Sequence, residues 1–446
     1  MAASKPCLVG QAFLDFVKGR DAEPMMRLGG IMHAARALWA SEVNFGFAYI
    51  APDYLRQDTE EFAFRYGAST VRQIGSISRC PNVVIVGEGR EIGPQHYDYL
   101  LRDQSVCQLH GDALKELIHG TEFSDFLLFP GGFPLSPILQ ELKAAKASVF
   151  ADINFITDAQ ELSALSRKFA SLILSTSSDL FLTIFDGDPA KMNNELCKYA
   201  ESVLLKENRG GSRLFDCGDR DKWGSTPAQV RPVLHSVGVG DFFDAIFVVE
   251  RRLHSDETAL AYAAFAAAEY ASYFRDSDIQ DSLAALLSIS PDDIRNLGGV
   301  VMPWELRRKI HIYLAAPDFD YVDTAPLEAL AEALSYHNFF PHRPVREHGQ
   351  ARDDSPTTEK RQLAEADLDL LATCQLLVAV LLYDDPGTLI EIGIAIEKQI
   401  PVIVFDPFKR ASNLMLTELP ILVSPDLDKV IAEVFIQSGK IGHEKR

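Results

Sequence analysis

The chain has 446 residues, 47% of them hydrophobic and 24% charged, with 43 basic against 63 acidic side chains and a formal net charge of −20. That length divides into two or three domains, and the composition is that of a folded protein, not a disordered, collagen-like or small disulfide-built chain. A surface so acidic repels phosphate backbones and anionic lipid, which excludes a general nucleic-acid or membrane-surface binder.

From the N-terminus, the run that follows Met1 is too short and polar for a signal segment. Leu8–Asp15 reads as a strand that ends in an aspartate, followed by Gly29-Gly30 and a helix over Met32–Ala40. Strands are predicted at Val83–Val86, Asp125–Phe129, Ser148–Asp152 and Leu172–Leu174, with a helix over Pro137–Lys146. The alanine-rich Glu257–Phe274 reads as a helix covering a sheet. From Asp276 to Arg308 the pattern loosens into short helical pieces with a Gly298-Gly299 pair and Pro303, and a fresh strand begins at Ile310–Leu314. A helix over Ala325–Tyr336, an exposed polar loop over Arg346–Lys360 and a buried strand over Leu376–Leu381 follow. A helix that includes Glu391–Lys398 and a strand over Pro401–Phe405 complete the second pattern. Alternating strands and helices of this kind predict an α/β protein with mostly parallel sheets. The predicted domains are residues 1–278 and 309–446, joined by a linker over 279–308.

The six cysteines (Cys7, Cys80, Cys107, Cys197, Cys217, Cys374) have no C-x-x-C spacing. They read as free thiols of a reducing cytosol, which predicts a cytoplasmic protein. The histidines lack paired ligand spacing, so no intrinsic metal site is expected.

Two constellations carry chemistry. The first is His235-Ser-Val-Gly-Val-Gly-Asp-Phe-Phe-Asp244. Gly238 and Gly240 let backbone N–H groups converge at a helix start, and Asp241 stands where it could take a proton from an attacking hydroxyl. The spacing alone fits equally well a tight turn capped by an aspartate. The second is Asp384-Asp-Pro-Gly-Thr-Leu-Ile-Glu-Ile-Gly393. Glu391 lies in the first turn of a helix among apolar neighbours, with Asp385 six residues before it. Two carboxylates facing one pocket suit glycosyl transfer, one as nucleophile and one handling a proton. A dipole partner is the plainer reading of Glu391. His342-Arg343 fits either a 5′-phosphate contact or an ordinary surface pair.

On Leu8–Asp15, Gly29-Gly30 and Gly238-Val-Gly-Asp241, residues 5–275 resemble the ribokinase-like (PfkB-type) carbohydrate and nucleoside kinases. The resemblance implies a three-layer α/β/α domain in which Asp15, Gly29 and Gly30 bind sugar hydroxyls. It further implies that Gly238 and Gly240 form the anion hole, that Asp241 is the base, and that ATP and Mg²⁺ are the cofactors. Asp152 and Asn154 stand at the family's aspartate-asparagine strand end, and Lys206–Gly211 at its turn near the nucleotide. The sequence departs from the family at His33, where asparagine is usual, and at Thr176-Ser-Ser-Asp179, where the family has N-x-x-E.

On Ile312–Pro317, Ala366–Asp369, Asp385–Gly393, Lys398–Val404 and Asn413–Met415, residues 309 to about 425 resemble the nucleoside 2-deoxyribosyltransferases. This resemblance implies a flavodoxin- or Rossmann-like parallel sheet with no cofactor, Glu391 as nucleophile and Tyr313 orienting it. Asp367 and Asp385 would bind or protonate the base, and Asn413 and Met415 would reach a neighbouring subunit's site, so a dimer or hexamer is expected. The expected partner is a small nucleoside, nucleotide or sugar. A nucleotide-depleting effector gated by a non-catalytic sensor and a non-enzymatic nucleoside-binding regulator are the competing readings.

Overall fold

The computed structural model describes residues 5–18, 24–87, 89–95, 97–120, 123–156, 158–219, 223–352 and 354–444; the Met1–Ser4 part of the leader reading lies outside them. The chain divides into two compact units, Met1–Arg90 with Gln95–Gly299 and Glu91–Pro94 with Val300–Arg446.

The strands of the first unit are β1 (Pro6–Val17), β2 (Met25–Gly30), β3 (Phe45–Ala51), β4 (Ala68–Ser78), β5 (Val83–Val86), β6 (Tyr97–Tyr99) and β7 (Val106–Leu109). They continue with β8 (Asp125–Phe129), β9 (Ser148–Asp152), β10 (Ser171–Ser175), β11 (Ser202–Lys206), β12 (Ser212–Asp216) and β13 (Trp223–Thr226). The main sheet runs β13-β12-β11-β10-β9-β8-β1-β3-β4-β7. It is parallel from β11 to β4 and antiparallel at both edges. Its central strands are apolar almost throughout, as strands covered on both faces must be.

β1 serves two layers. Its Cys7–Gln11 half pairs with β3 in the main sheet, while Leu14–Val17 pairs with β2 and β5 in a small annex. Asp15 therefore lies on the annex half, in register with Arg27 of β2, and not at the end of the strand. Helices Met32–Ala40, Val239–Glu250 and Asp256–Ser272 bury their apolar faces in the core of this unit. Phe242, Phe243 and Phe247 belong to that core.

Three expectations need correction. The predicted linker is folded: helices Asp276–Leu287 and Pro291–Asn296 insert Ile279, Leu283, Leu286 and Ile294 into the core of the first unit. The short helical pieces read there are present, but their apolar side chains recur at helical spacing and so form a face that packs on the first unit. Cys197 and Cys217 are joined in a disulfide, whereas Cys7, Cys80, Cys107 and Cys374 are free. Short-range spacing could not see that pair, because helix Pro189–Leu196 and the antiparallel β11–β12 hairpin bring together cysteines 20 residues apart. Finally, Arg346–Lys360 is not all loop, since it holds the end of helix Pro344–His348 and the start of helix Thr357–Thr373.

The second unit is a five-stranded, wholly parallel sheet: β14 (His311–Ala315), β15 (Phe340–His342), β16 (Leu376–Val380), β17 (Val402–Phe405) and β18 (Leu422–Ser424), in the order β15-β14-β16-β17-β18. Tyr313, Leu377, Ala379, Ile392 and Ala395 pack between the sheet and helix Pro386–Glu397. No helix among the described residues is long and apolar enough to cross a membrane.

Candidate functional site

Each unit assembles polar side chains where parallel strands end and helices begin. In the first unit, helix Val239–Glu250 starts after Gly238, whose φ of 77° is left-handed. A Cβ there would fall 2.0 Å from the His33 ring, so glycine is required on both counts. The cap position belongs to Gly238 and not to an aspartate. Gly240 and Asp241 occupy the first turn, where unpaired backbone N–H groups and the helix dipole favour an anion.

Asp241 accepts no hydrogen bond among the described residues. Burial, reinforced by the nearby carboxylates of Asp152 and Asp15, pushes its pKa up to about 8 against the opposing pull of Lys206. Asp15 is buried and bonded to His33 (Nε2 to Oδ2, 3.0 Å), and His33 Nδ1 meets Tyr270 Oη at 2.8 Å. Burial brings the histidine down to about 4, so the ring is neutral. One tautomer satisfies both contacts: Tyr270 donates to Nδ1, and Nε2–H donates to Asp15.

Gly29 makes room for the Asp15 carboxyl, which a Cβ would approach to 1.9 Å. Gly30, at φ 63°, lets β2 pass close to the Gln11 carbonyl. Arg27 of the annex donates to the carbonyl of Val237 (3.0 Å), next to the glycine turn. Asp15, Gly29, Gly30, Gly238, Gly240 and Asp241 thus surround one region, with Asp152 beside it.

Asp241 also forms a set with Asp152 and Asp244, whose carboxylate oxygens come within 4.8 Å of one another. Such a set would suit a divalent cation, but the Lys206 ammonium is already there. It lies 3.0 Å from Asp152 Oδ2 and 2.9 Å from each oxygen of Asp244. Burial opposes its charge, yet Asp152 and Asp244 outweigh this and hold its pKa above the usual lysine range. The cluster therefore does not fit a protein-bound magnesium. Thr176-Ser-Ser-Asp179 follows β10, with Thr176 N–H donating to the Lys206 carbonyl (2.9 Å). Asn154 is bonded to Asp152 through both its N–H and its amide (3.0 Å each).

In the second unit, Asp385 caps helix Pro386–Glu397 by accepting from Thr388 N–H (2.7 Å) and Thr388 Oγ1 (2.9 Å). Pro386 then fixes the first helical residue. The helix begins earlier than predicted, and Glu391 lies in its second turn. Tyr313, fully buried on β14, donates to Glu391 Oε1 at 2.6 Å. Burial pushes Glu391 up to about 7; Tyr313 opposes this, and the charges of Asp367 and Asp385 add to it. Burial also raises the Tyr313 hydroxyl well above its ordinary range, so it acts as a donor.

The sequence reading missed His348. It ends helix Pro344–His348 and binds Asp367 through Nδ1 at 2.7 Å, turning an isolated carboxylate into a histidine–aspartate pair. No spacing between residues 348 and 367 signals it; only the packing of two helices does. His342 is likewise committed, bridging His311 (2.8 Å) and Glu347 (3.1 Å). The phosphate reading of Arg343 loses its footing, since both edges of its guanidinium are filled by Asp318 (2.7 and 2.8 Å) and Glu328 (2.7 and 2.9 Å). Asn413 caps helix Leu414–Glu418 by accepting from Met415 N–H (2.9 Å), and Leu414 and Met415 point outward, 74% and 67% exposed.

Residues 312–423 match the family model of the nucleoside 2-deoxyribosyltransferases. The chain thus contains a nucleoside 2-deoxyribosyltransferase domain at its C-terminal end. No curated protein matches the chain. Among solved structures, it is similar to ribokinase from Thermotoga maritima, with 16% identity, a TM-score of 0.47 and coverage of 64% of this chain and 100% of that one. It is also similar to the Burkholderia thailandensis nucleoside kinase in complex with inosine (13% identity, TM-score 0.47, 64% and 98% covered). A third is Arabidopsis thaliana ribokinase complexed with ribose and ATP (18% identity, TM-score 0.46, 65% and 100% covered).

Proposed function

We propose that the second unit cleaves or exchanges the N-glycosidic bond of a nucleoside or nucleotide through Glu391. The observation that carries this reading is the Tyr313–Glu391 hydrogen bond of 2.6 Å, which fixes a partly desolvated carboxylate at the end of a parallel sheet. Desolvation makes the ionised form a stronger nucleophile, and the tyrosine aims it at one point. Glu391 attacks the anomeric carbon and the base leaves with the bonding pair, giving a glycosyl ester; water or a second base then displaces the carboxylate. His348, held by Asp367, is a source for the proton the departing base needs. Asp385, occupied by its cap contacts, acts on Glu391 through its charge.

The first unit, on this proposal, binds a sugar or nucleoside against Asp15, Gly29 and Gly30. With ATP bound by the glycine turn, Asp241 would take the proton of the attacked hydroxyl. A purely ligand-sensing first unit is favoured by one observation: the Asp152 and Asp244 carboxylates of the cluster that includes Asp241 are already engaged by Lys206. The exposed Leu389, Ile390, Leu414 and Met415 support assembly of the second unit with another copy of the chain.

Chromatography of a nucleoside and nucleotide panel, with and without ATP, tests the whole reading. Free base released without ATP supports the glycosyl chemistry, and a phosphate ester formed only with ATP supports the kinase. ATP-independent base release with no phosphorylation of any sugar or nucleoside would leave the sensor reading. No product under any condition would refute both activities.

A further inference from the structure

We infer that the Lys206 ammonium is the resident cation of the first unit and takes the place that a divalent ion would otherwise fill among Asp152, Asp241 and Asp244. The three carboxylates come from two directions. Asp152 closes β9, while Asp241 and Asp244 lie three residues apart on one face of helix Val239–Glu250. Their oxygens come within 4.8 Å of one another, close enough to share one central cation.

Lys206 closes β11, one strand beyond β10 from β9, and so delivers its side chain to the same end of the sheet. Its ammonium has three donors, and three acceptors face it: Asp152 (3.0 Å), the Asp244 carboxylate (2.9 Å to each oxygen) and the Gly240 carbonyl (3.4 Å). These separations are those of N⁺–H···O contacts. A bound magnesium or calcium would need the same oxygens at about 2.0–2.6 Å, and would overlap the nitrogen. Asp244 is fully buried and Asp152 and Lys206 nearly so, so water does not screen the cluster. The Gly240 contact places this fixed charge directly behind the glycine turn. It follows that the carboxylate cluster takes up no metal of its own.

The test uses the full chain without nucleotide and follows Mn²⁺ uptake by the loss of its free electron-paramagnetic resonance signal at pH 7.5. The parent protein is expected to take up no Mn²⁺ that depends on this cluster. Lys206→Met, with its fold checked by circular dichroism, should gain one Mn²⁺ per chain, bound at least tenfold more tightly than any ion on the parent. Lys206→Arg, which keeps the charge, should gain none, and adding Asp244→Asn to Lys206→Met should remove the new site. Stoichiometric Mn²⁺ on the parent that disappears in Asp244→Asn would overturn the inference, and this arm needs no lysine variant to fold. A folded Lys206→Met protein that gains no ion would overturn it equally. None of these readouts requires catalysis, so the inference and the kinase reading of this unit stand or fall separately.

Discussion

Replacing Tyr313 by phenylalanine isolates the contact on which the glycosyl reading rests. The change removes one hydroxyl, buried and 2.6 Å from Glu391 Oε1, and leaves the ring in the core. A hydrogen bond to a charged group contributes about 1.5–3 kcal/mol. Since 1.36 kcal/mol corresponds to one pKa unit, losing it should raise the Glu391 pKa by about one to two. The starting point is about 7, set by burial and held down by this tyrosine. Glu391 attacks only when ionised, so base release should rise with pH through that value in the parent and level off above it. In Tyr313→Phe the rising limb moves up by about one to two pH units. At pH 6 the variant should therefore run about 10- to 100-fold below the parent from ionisation alone, and it should recover much of that deficit by pH 9. The assay is the pH dependence of kcat/KM for base release, followed by chromatography. A limb that stays in place, or that moves to lower pH, would refute the assignment of Glu391 as the titrating nucleophile.

Glu391→Gln should lower base release by orders of magnitude without lowering the melting temperature at pH 8. A carboxyl whose folded pKa is raised costs stability above its unfolded pKa, and glutamine removes that cost. A 2-fluoro nucleoside should leave a sugar on Glu391 of the parent, and peptide mass spectrometry placing it elsewhere would count against the mechanism. For the first unit, Asp241→Asn should abolish any ATP-dependent phosphorylation, by about 10²–10⁴-fold, while base release continues. In the parent that phosphorylation should rise with pH up to about 8, because Asp241 must lose its proton to act. His348→Ala should slow base release most for poor leaving groups, and equal slowing for all bases would remove it as the proton source. Light scattering of the active protein should show at least a dimer, and Met415→Glu should shift it toward monomer; full activity in a monomer would exclude a shared site.

Much of this arrangement is legible in the sequence because it is local. The apolar strand Leu376–Val380 and the Gly238–Asp241 helix start each follow from neighbouring residues, whereas the Asp385–Thr388 cap emerges only in the structure. Tyr313 and Glu391 could be paired in advance only through the family resemblance, since 78 residues separate them. What stayed hidden depends on packing between distant elements. Lys206 reads only as the start of a turn near the nucleotide until β9 and helix Val239–Glu250 bring Asp152 and Asp244 to it. His348 gains meaning only when Asp367 meets it across two helices. Arg343 shows the opposite failure: a cation that sequence leaves open to phosphate is neutralised by Asp318 and Glu328.

The covalent link between Cys197 and Cys217 encloses all of β11, with Lys206 inside the ring. Closing a ring of about this size on the unfolded chain is worth about 3 kcal/mol. A preparation handled in dithiothreitol and one handled without it would then be two chemical species of equal sequence. They would differ in mass by two hydrogens and in how firmly the lysine-bearing strand is anchored. Measurements on the first unit become comparable between laboratories only when the thiol history of the sample is stated alongside its buffer.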